Sequence, residues 1–364
     1  MQSLINQQFM KKIFILAAFA LLSVGAYAQD DAQKAAAEAA AAIAEAPIVE
    51  EPQPKPVYWT KTLMTNVNFA QTALWDWAAG GNDNYTMTGY LDANANYAKE
   101  KMIWNNRLQV DYGFLYSDDK PILQKVKDRI YFESKWGYET PIQHLSYSAN
   151  YDFKTQIDNN YNYKTPTGIT GEPTKADWKA ARELKSGLLS PAYSTLGVGL
   201  LWTPKPWLSI NASPLTGGFV IVQNEELRKA YGMELRDLSA AEQAAYDAAV
   251  TAGTATGSYY KSSRFELGAQ VKTDINFTVN DNLKYTTQLV LFSNYLKNPQ
   301  NIRVNWDQKL FWKMAKFFTL TFSTNLIYDD TVLITNDEHP NGFRTIQFKE
   351  FFEIGFSYTI SSKK

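Results

Sequence analysis

The sequence predicts an all-β fold, a transmembrane antiparallel up-and-down β-barrel of about twelve strands. Three observations predict it. Long segments alternate apolar with polar residues, short connectors alternate with long ones, and aromatic residues form 14% of the chain. A barrel exposes only every second strand residue to lipid, so the mean hydropathy of −0.34 is compatible with a membrane protein.

The first 58 residues read as targeting and tether segments. Lys11 and Lys12 precede an apolar run over 13–24, and a small-residue site ends at Ala28. This pattern predicts a signal peptide over 1–28, cleaved near Ala28. Residues 29–58 are rich in Ala and Pro, which predicts a disordered or partly helical periplasmic linker. The barrel is expected to occupy 59–364.

The last segment carries the clearest strand pattern. Its outward set is apolar and aromatic, and its other face is mostly small or polar: Phe348, Phe352, Ile354, Phe356, Tyr358 and Ile360 against Lys349, Glu353, Gly355, Ser357 and Thr359. Ordinary globular strands hold about 5–6 residues, so this length favours a closing barrel strand. Glu350 falls in the lipid-side register, near an interface, with Phe351 turned inward. The alternative is an edge strand of a soluble sandwich.

Eleven further segments alternate in the same way, over 61–71, 85–98, 102–116, 123–138, 144–157, 192–202, 207–222, 263–277, 283–295, 302–312 and 317–328. With the N-terminus in the periplasm, an even number of strands places the C-terminus there as well. Pro214 and Gly217-Gly218 are expected to break the seventh segment. A soluble lipocalin-like barrel would also alternate, but with its apolar face inward. Thr174 predicts a loop helix over 175–184, and a capping box at Ser239 predicts another to Val250.

Composition excludes several classes of protein. The chain has no Cys, which excludes disulfides, Cys-ligated zinc and thiol catalysis. Its net charge is −1, and without 1–28 it is −3, from 34 basic and 37 acidic residues, so no nucleic-acid partner is indicated. No apolar run of about 20 residues follows the leader, so no transmembrane helix is expected. The expected partners are outer-membrane lipid, the barrel-insertion machinery and other envelope proteins.

The inward face of the strands is predicted to be ionic. Its principal members are Arg107, Asp111, Arg129, Glu133, Lys135, Asp152, Lys154, Arg264, Glu266, Lys272, Asp274, Arg303 and Asp307. The same register adds Asp92, Lys127, Lys284, Lys309, Lys349 and Glu353. A twelve-stranded lumen is narrow. These charges are therefore expected to pair and occlude it, to line a polar pore with a slight anion bias, or simply to form a solvated wall.

The loop after the first strand holds the most distinctive motif, with Trp75, Trp77, Gly80, Gly81 and Asn82. Its tryptophans are expected to anchor the loop at the membrane interface or to stack on a sugar ring.

The sequence has few candidate catalytic residues, with two histidines in the whole chain. No cofactor or metal is expected. His144 precedes Ser146 at a short turn, whereas His339 follows Asp337 and Glu338 in a loop. Those three loop residues suit a solvated loop or a metal site. Twelve-stranded barrel phospholipases use a Ser-His-Asn arrangement, which leaves a lipid hydrolase open as an alternative.

Several short motifs occur in an order typical of one family: 68–71 (Asn-Phe-Ala-Gln), 77–82 (Trp-Ala-Ala-Gly-Gly-Asn), 104–106 (Trp-Asn-Asn), 213–217 (Ser-Pro-Leu-Thr-Gly), 294–295 (Asn-Tyr) and 326–330 (Leu-Ile-Tyr-Asp-Asp). From about Trp59 onward the chain resembles the outer-membrane family called domain of unknown function 3078. The resemblance implies an outer-membrane barrel of a Gram-negative bacterium, and it supplies no activity or catalytic residues.

The functional expectation is a non-enzymatic outer-membrane barrel. It would serve either as a porin-like small-solute channel or as a structural subunit of an envelope assembly. The alternative is an outer-membrane lipid hydrolase with a catalytic His in the barrel.

Overall fold

The computed structural model describes residues 57–74, 82–334 and 342–362. Within them, twelve antiparallel strands close into a barrel, which confirms the predicted fold class. In order around the barrel they are β1 (Trp59–Thr72), β2 (Asn84–Lys99), β3 (Met102–Ser117), β4 (Lys120–Glu139), β5 (Leu145–Thr155), β8 (Ala192–Lys205), β9 (Leu208–Ile221), β10 (Ser263–Asn280), β11 (Leu283–Asn294), β12 (Ile302–Lys313), β13 (Phe318–Tyr328) and β14 (Gln347–Ser361). The predicted signal peptide and nearly all of the linker lie outside the described residues.

Two connections depart from the predicted elements. In the β5–β8 connection, β6 (Asn160–Tyr163) and β7 (Arg182–Ser186) form a separate two-stranded sheet that the sequence did not predict. In β9, the expected break at Pro214 and Gly217-Gly218 is wrong, and both glycines pair with β10. The strand continues, and a bulge sets Pro214 and Leu215 against Ala269 of β10. A bulge tolerates a residue that cannot donate to the ladder.

Among the described residues, three α-helices lie in the connections: α1 (Lys175–Ala180), α2 (Glu225–Arg228) and α3 (Ala240–Thr251). The predicted extension of α1 to residue 184 is wrong, because residues from Arg182 onward pair with β6 instead. The Ser239 capping box is present at α3, where Ser239 and Glu242 bond each other's backbone N–H groups. None of the helices in the described part of the chain is long and apolar enough to cross a membrane.

The two ends of the barrel differ in their connections. Short connections join β2–β3, β4–β5, β8–β9, β10–β11 and β12–β13, and we call this the short-turn end. The long-loop end carries β6, β7 and all three helices. Val220, Val222, Leu227 and Met233 form a small apolar core beneath these loops.

Apolar side chains cover the outside of the barrel. Phe352 is 65% exposed, and the outward positions of other strands expose Leu108, Leu196, Phe265, Ile302 and Phe322. Aromatic rings cluster near the short-turn end, where the Trp59 ring centroid lies 5.2 Å from that of Tyr97 and 6.0 Å from that of Trp104. This outward apolar face is opposite to that of a lipocalin-like barrel and typical of a lipid-facing one.

The seam between the first and last strands is short. β1 pairs with β2 over fourteen residues but with β14 over seven, from Thr62↔Ser361 to Asn68↔Gly355. Toward the long-loop end, β14 keeps its ladder to β13 as far as Ile327↔Gln347. The β1–β14 ladder at this seam is therefore shorter than the ladders between the other neighbouring strands of the barrel.

Candidate functional site: the ionic lumen

Period-2 alternation carries ionisable side chains into the lumen on several strands. On β4 the inward series is Lys127, Arg129, Tyr131, Glu133 and Lys135, and on β10 it is Arg264, Glu266, Gln270, Lys272 and Asp274. Many of these side chains are deeply buried, and Lys272 is only 1% exposed. Buried charges require partners, so these residues bond one another across the lumen.

Lys272 lies at the centre of this arrangement. Its Nζ is 3.0 Å from Glu133 Oε1 and 2.5 Å from Asp152 Oδ1, and it donates a hydrogen bond to the Tyr131 hydroxyl at 2.7 Å. Tyr131 in turn donates to Asp152 at 2.6 Å. One β10 ammonium therefore joins β4 and β5 from the far side of the lumen.

Lys135 and Asp274 make a second crossing, with 2.9 Å between Nζ and Oδ2. Asp274 also accepts a hydrogen bond from Gln288 at 2.8 Å, and Lys135 lies 3.1 Å from Glu133. These six residues, Glu133, Lys135, Asp152, Lys272, Asp274 and Tyr131, form what we call the ionic layer.

Two arginines extend the network around the wall. Arg107 binds Asp92 through both Nε and a terminal nitrogen, at 3.0 and 2.6 Å. Arg129 lies 2.9 Å from Asp111 and reaches Asp307 on β12 at 3.3 Å. Bidentate guanidinium–carboxylate pairs fix orientation as well as charge. The lumen is thus crossed from β4 to β10 and from β4 to β12.

A third cluster lies nearer the long-loop end. Glu266 accepts from Arg264 at 2.9 Å and contacts Arg303, which lies 3.7 Å from Asp329. Arg264 also donates to the carbonyl of Gly232 at 2.5 Å, in the connection that carries α2 and α3. Arg264 therefore couples the barrel wall to the loops above it.

Cavities remain on both sides of the ionic layer. A cavity of about 580 Å³ at the short-turn end is bordered by Glu133, Lys135, His144, Lys205 and Lys284. Two cavities of about 230 and 220 Å³ lie toward the long-loop end and share Arg129, Lys154, Tyr193 and Asp307. Neither shares a lining residue with the first cavity. The ionic layer lies between them, since Glu133, Lys135 and Asp274 line the first cavity and Tyr131 and Asp152 line one of the other two.

The thirteen principal residues singled out from the sequence all lie among the described residues, and all but Lys154 form an ion pair there. Sequence reasoning missed Tyr90, Tyr131 and Gln288, neutral residues that bond to the charged ones. They occupy the same alternating positions as the charged residues, which is the signal that identifies them.

The loop motif is only partly described. Trp75, Trp77, Gly80 and Gly81 lie outside the described residues, as do Asp337, Glu338 and His339. Asn82 is exposed, and its carbonyl accepts a hydrogen bond from Asn84 at 3.1 Å. Within 57–74, 82–334 and 342–362, no three His, Asp or Glu side chains are grouped in a way that could hold a metal ion.

His144 lies in the β4–β5 turn, in the left-handed region at φ 63°. The strand therefore begins one residue later than predicted, at Leu145. His144 is exposed beside the cavity at the short-turn end, whereas Ser146 is buried in the wall of the barrel.

Comparison with solved structures finds other β-barrels at low similarity. The translocator domain of the autotransporter NalP from Neisseria meningitidis is 7% identical, with a TM-score of 0.34, and the match covers 92% of this chain and 99% of that one. The COG4313 outer membrane channel from Pseudomonas putida F1 is 9% identical, with a TM-score of 0.33, over 87% and 100%. OmpT, an outer membrane protein of Vibrio cholerae, is 8% identical, with a TM-score of 0.26, and the match covers 84% of this chain and 99% of that one.

Comparison with curated proteins gives no match. A family model does match, over residues 69–161, from the end of β1 to the beginning of the β5–β8 connection. It is the family anticipated from the motifs between Asn68 and Asn106. Over 69–161 the chain therefore matches the model of the family described as "Protein of unknown function (DUF3078)".

Proposed function

We propose that this protein is a non-enzymatic outer-membrane β-barrel whose lumen is closed at rest, and that it serves as a structural subunit of an envelope assembly. The apolar outer surface of the barrel and the cluster of aromatic side chains near its short-turn end support a lipid-facing wall. The short-turn end would face the periplasm, where signal-peptide cleavage near Ala28 would leave the linker. Lipid, the insertion machinery and other envelope proteins are the partners proposed.

The ionic layer is the observation that carries the closed state. Opening a path between the two halves of the lumen requires separation of Lys272 from Glu133 and Asp152, and of Lys135 from Asp274. Removing one partner from a buried ion pair typically costs about 3–5 kcal/mol. Several such pairs would have to break together, so spontaneous opening should be rare.

Conductance in planar lipid bilayers tests this proposal. The wild-type protein should insert without steady conductance, whereas the double variant Lys135→Ala with Lys272→Ala should conduct. Lys284→Ala is the matched control, because Lys284 lines the cavity at the short-turn end outside the ionic layer. Heat-dependent gel mobility would establish that each variant is folded. Steady conductance by the wild type would contradict the closed barrel.

A small-solute channel is the second candidate, and the cavities on either side of the ionic layer favour it. In this case the ionic layer is a gate that opens under a stimulus. The channel would be supported if the wild type conducts under an applied voltage. This conductance should disappear when Lys135 and Asp274 are replaced by a disulfide-forming Cys pair. Absence of conductance under every condition would leave the structural subunit.

The role in an assembly needs a direct test. Photo-crosslinkers placed on α3, whose residues are not buried, should capture one envelope protein at a fixed ratio in intact cells. The same crosslinker at the lipid-facing Phe265 is the control. Equal and scattered products from both positions would argue against a specific partner.

A lipid hydrolase remains the alternative in another class. It requires His144 to act on lipid, although His144 lies exposed in a turn and Ser146 is buried in the barrel wall. We expect the purified protein to release no fatty acid from phospholipid vesicles. Release that disappears in His144→Ala would establish the enzyme instead.

A further inference from the structure

The 230 Å³ cavity toward the long-loop end is lined by five cationic side chains, Lys127, Arg129, Lys154, Lys309 and Lys349. We call it the basic pocket. It lies between the β3–β5 side of the lumen and the β12–β14 side. Three carboxylates also line it, Asp111, Asp128 and Asp307. Whether it attracts anions depends on which of these charges are already paired.

Two cations of the basic pocket are well paired. Arg129 lies 2.9 Å from Asp111 and 3.3 Å from Asp307. Lys127 lies 2.5 Å from Glu353 Oε2, and its Nζ is 4.4 Å from the ring centroid of Phe351. The third lining carboxylate, Asp128, is bound by Lys125 and by the backbone N–H groups of the β5–β8 connection.

The other three cations have weak partners or none. Lys309 shares Asp111 with Arg129 at a longer distance, 3.4 Å, and packs 3.6 Å from the ring centroid of Tyr90. Lys349 donates to a neutral group, the carbonyl of Val126, at 2.8 Å. Lys154 has no ion pair or side-chain hydrogen bond to any residue that the structure describes, although it lines both upper cavities.

The charges of the basic pocket and its immediate partners therefore do not balance. Six cations, the five above and Lys125, face four carboxylates, the three above and Glu353, which leaves a net charge of +2. This excess resides on Lys154 and Lys349. Lys154 is half-buried and Lys349 is exposed, and two uncompensated ammonium groups on one wall attract an anion.

We propose that the basic pocket binds a small organic anion that carries a phosphate or carboxylate group, held by Lys154 and Lys349. The volume is several times the roughly 30 Å³ that one water occupies in the liquid, so it accommodates more than a simple ion. Ser323 offers a hydroxyl group at the wall, and Phe351 offers an apolar surface. The anion can come from solution or from the headgroup of a lipid.

Equilibrium binding tests the proposal on the full chain in a non-ionic detergent, by titration calorimetry with inorganic phosphate, phenyl phosphate and dodecyl phosphate. We expect saturable 1:1 binding of at least one probe, weakened by salt. A hydrogen bond between charged groups contributes enough that Lys154→Met should weaken binding about ten-fold or more. Lys154→Arg should retain most of it.

Lys284→Met is the matched control, since it removes an ammonium group from the other half of the lumen and should leave affinity unchanged. Heat-dependent gel mobility would verify folding of each variant. Binding of phenyl phosphate indicates a soluble anion, and binding of dodecyl phosphate alone indicates a lipid headgroup. The proposal would be overturned if no probe binds, or if the double variant Lys154→Met with Lys349→Met binds a probe as tightly as the wild type does. Conductance plays no part in this readout, so its failure is separate from that of the closed barrel.

Discussion

Lys135 on β4 reaches across the lumen to Asp274 on β10, with 2.9 Å between its Nζ and the Oδ2 of the carboxylate. Both side chains are about nine-tenths buried, and Asp274 is also held by Gln288. This contact joins two strands that are not neighbours in the sheet. It therefore ties the wall of the barrel together through its interior.

Lys135→Met should destabilise the protein by about 3 kcal/mol, because it leaves Asp274 buried without its cation. Urea unfolding in lipid vesicles, followed by tryptophan fluorescence, would measure the change. The double variant with Asp274→Leu should recover much of the loss, since replacement of both partners removes the unpaired charge.

Lys164 provides the control for this prediction. It pairs with Glu183 in an exposed position, with the two side chains 63% and 57% exposed. Lys164→Met should change the free energy of unfolding by less than about 1 kcal/mol. Equal effects at Lys135 and Lys164 would contradict a stabilising role for the ionic layer.

Gly355→Ala should weaken closure of the barrel. A Cβ at Gly355 would lie 2.1 Å from Asn68 Oδ1 and 2.3 Å from the carbonyl of Val67, so β1 and β14 could not keep their spacing. Gly89→Ala is the control, because its nearest neighbour would be 3.9 Å away. Hydrogen exchange in β14 should accelerate in Gly355→Ala alone, and unchanged protection would refute this account of the seam.

Trp178→Ala should loosen the β5–β8 connection. Trp178 is 5% exposed, and the ammonium of Lys120 lies 5.9 Å from its ring centroid, so it holds α1 to the beginning of β4. Loss of a buried Trp typically costs about 3–5 kcal/mol. Limited proteolysis should cut within 156–191 sooner, whereas Ile169→Ala, at an exposed position in the same connection, should not change the cleavage rate.

The α3 capping box should depend on pH. Hydrogen bonds from the backbone N–H of Ser239 and from Arg236 lower the pKa of Glu242 to about 2, against an ordinary value of 4.5. Because the folded pKa is the lower one, this stabilisation is present above pH 4.5 and is lost as pH falls through about 2. The amide NMR shift of Ser239 should titrate near pH 2. In Glu242→Gln this transition should disappear, and a midpoint near 4.5 in the wild type would exclude the hydrogen-bonded cap.

The sequence predicted the barrel well because alternation is a local signal. The pattern in 85–98 or 263–277 needs no distant residue to reveal an inward and an outward face. Short elements carry less of this signal. The strand Asn160–Tyr163 has four residues, too few for a period to be seen, and α1 ends early because a pairing partner competes for the residues after it.

The candidate site was predictable only as a set of inward charges. Alternation assigns Lys127 and Glu353 to the lumen, but they are 226 residues apart, and nothing local shows that they meet. The same holds for Lys154, whose lack of a counterion depends on where the other strands place their carboxylates. Pairing across a lumen is set by the curvature and stagger of the whole barrel.

The seven-residue seam has a consequence for how the chain folds. Every other ladder joins barrel strands that follow one another along the chain, with β6 and β7 intervening only between β5 and β8, so these ladders close shorter loops than the seam does. The ladder at the seam must join Lys61 to Ser362, 301 residues apart, after the rest is assembled. Because this ladder is both non-local and short, we expect pairing of β1 with β14 to be the last step of folding and the first step of unfolding.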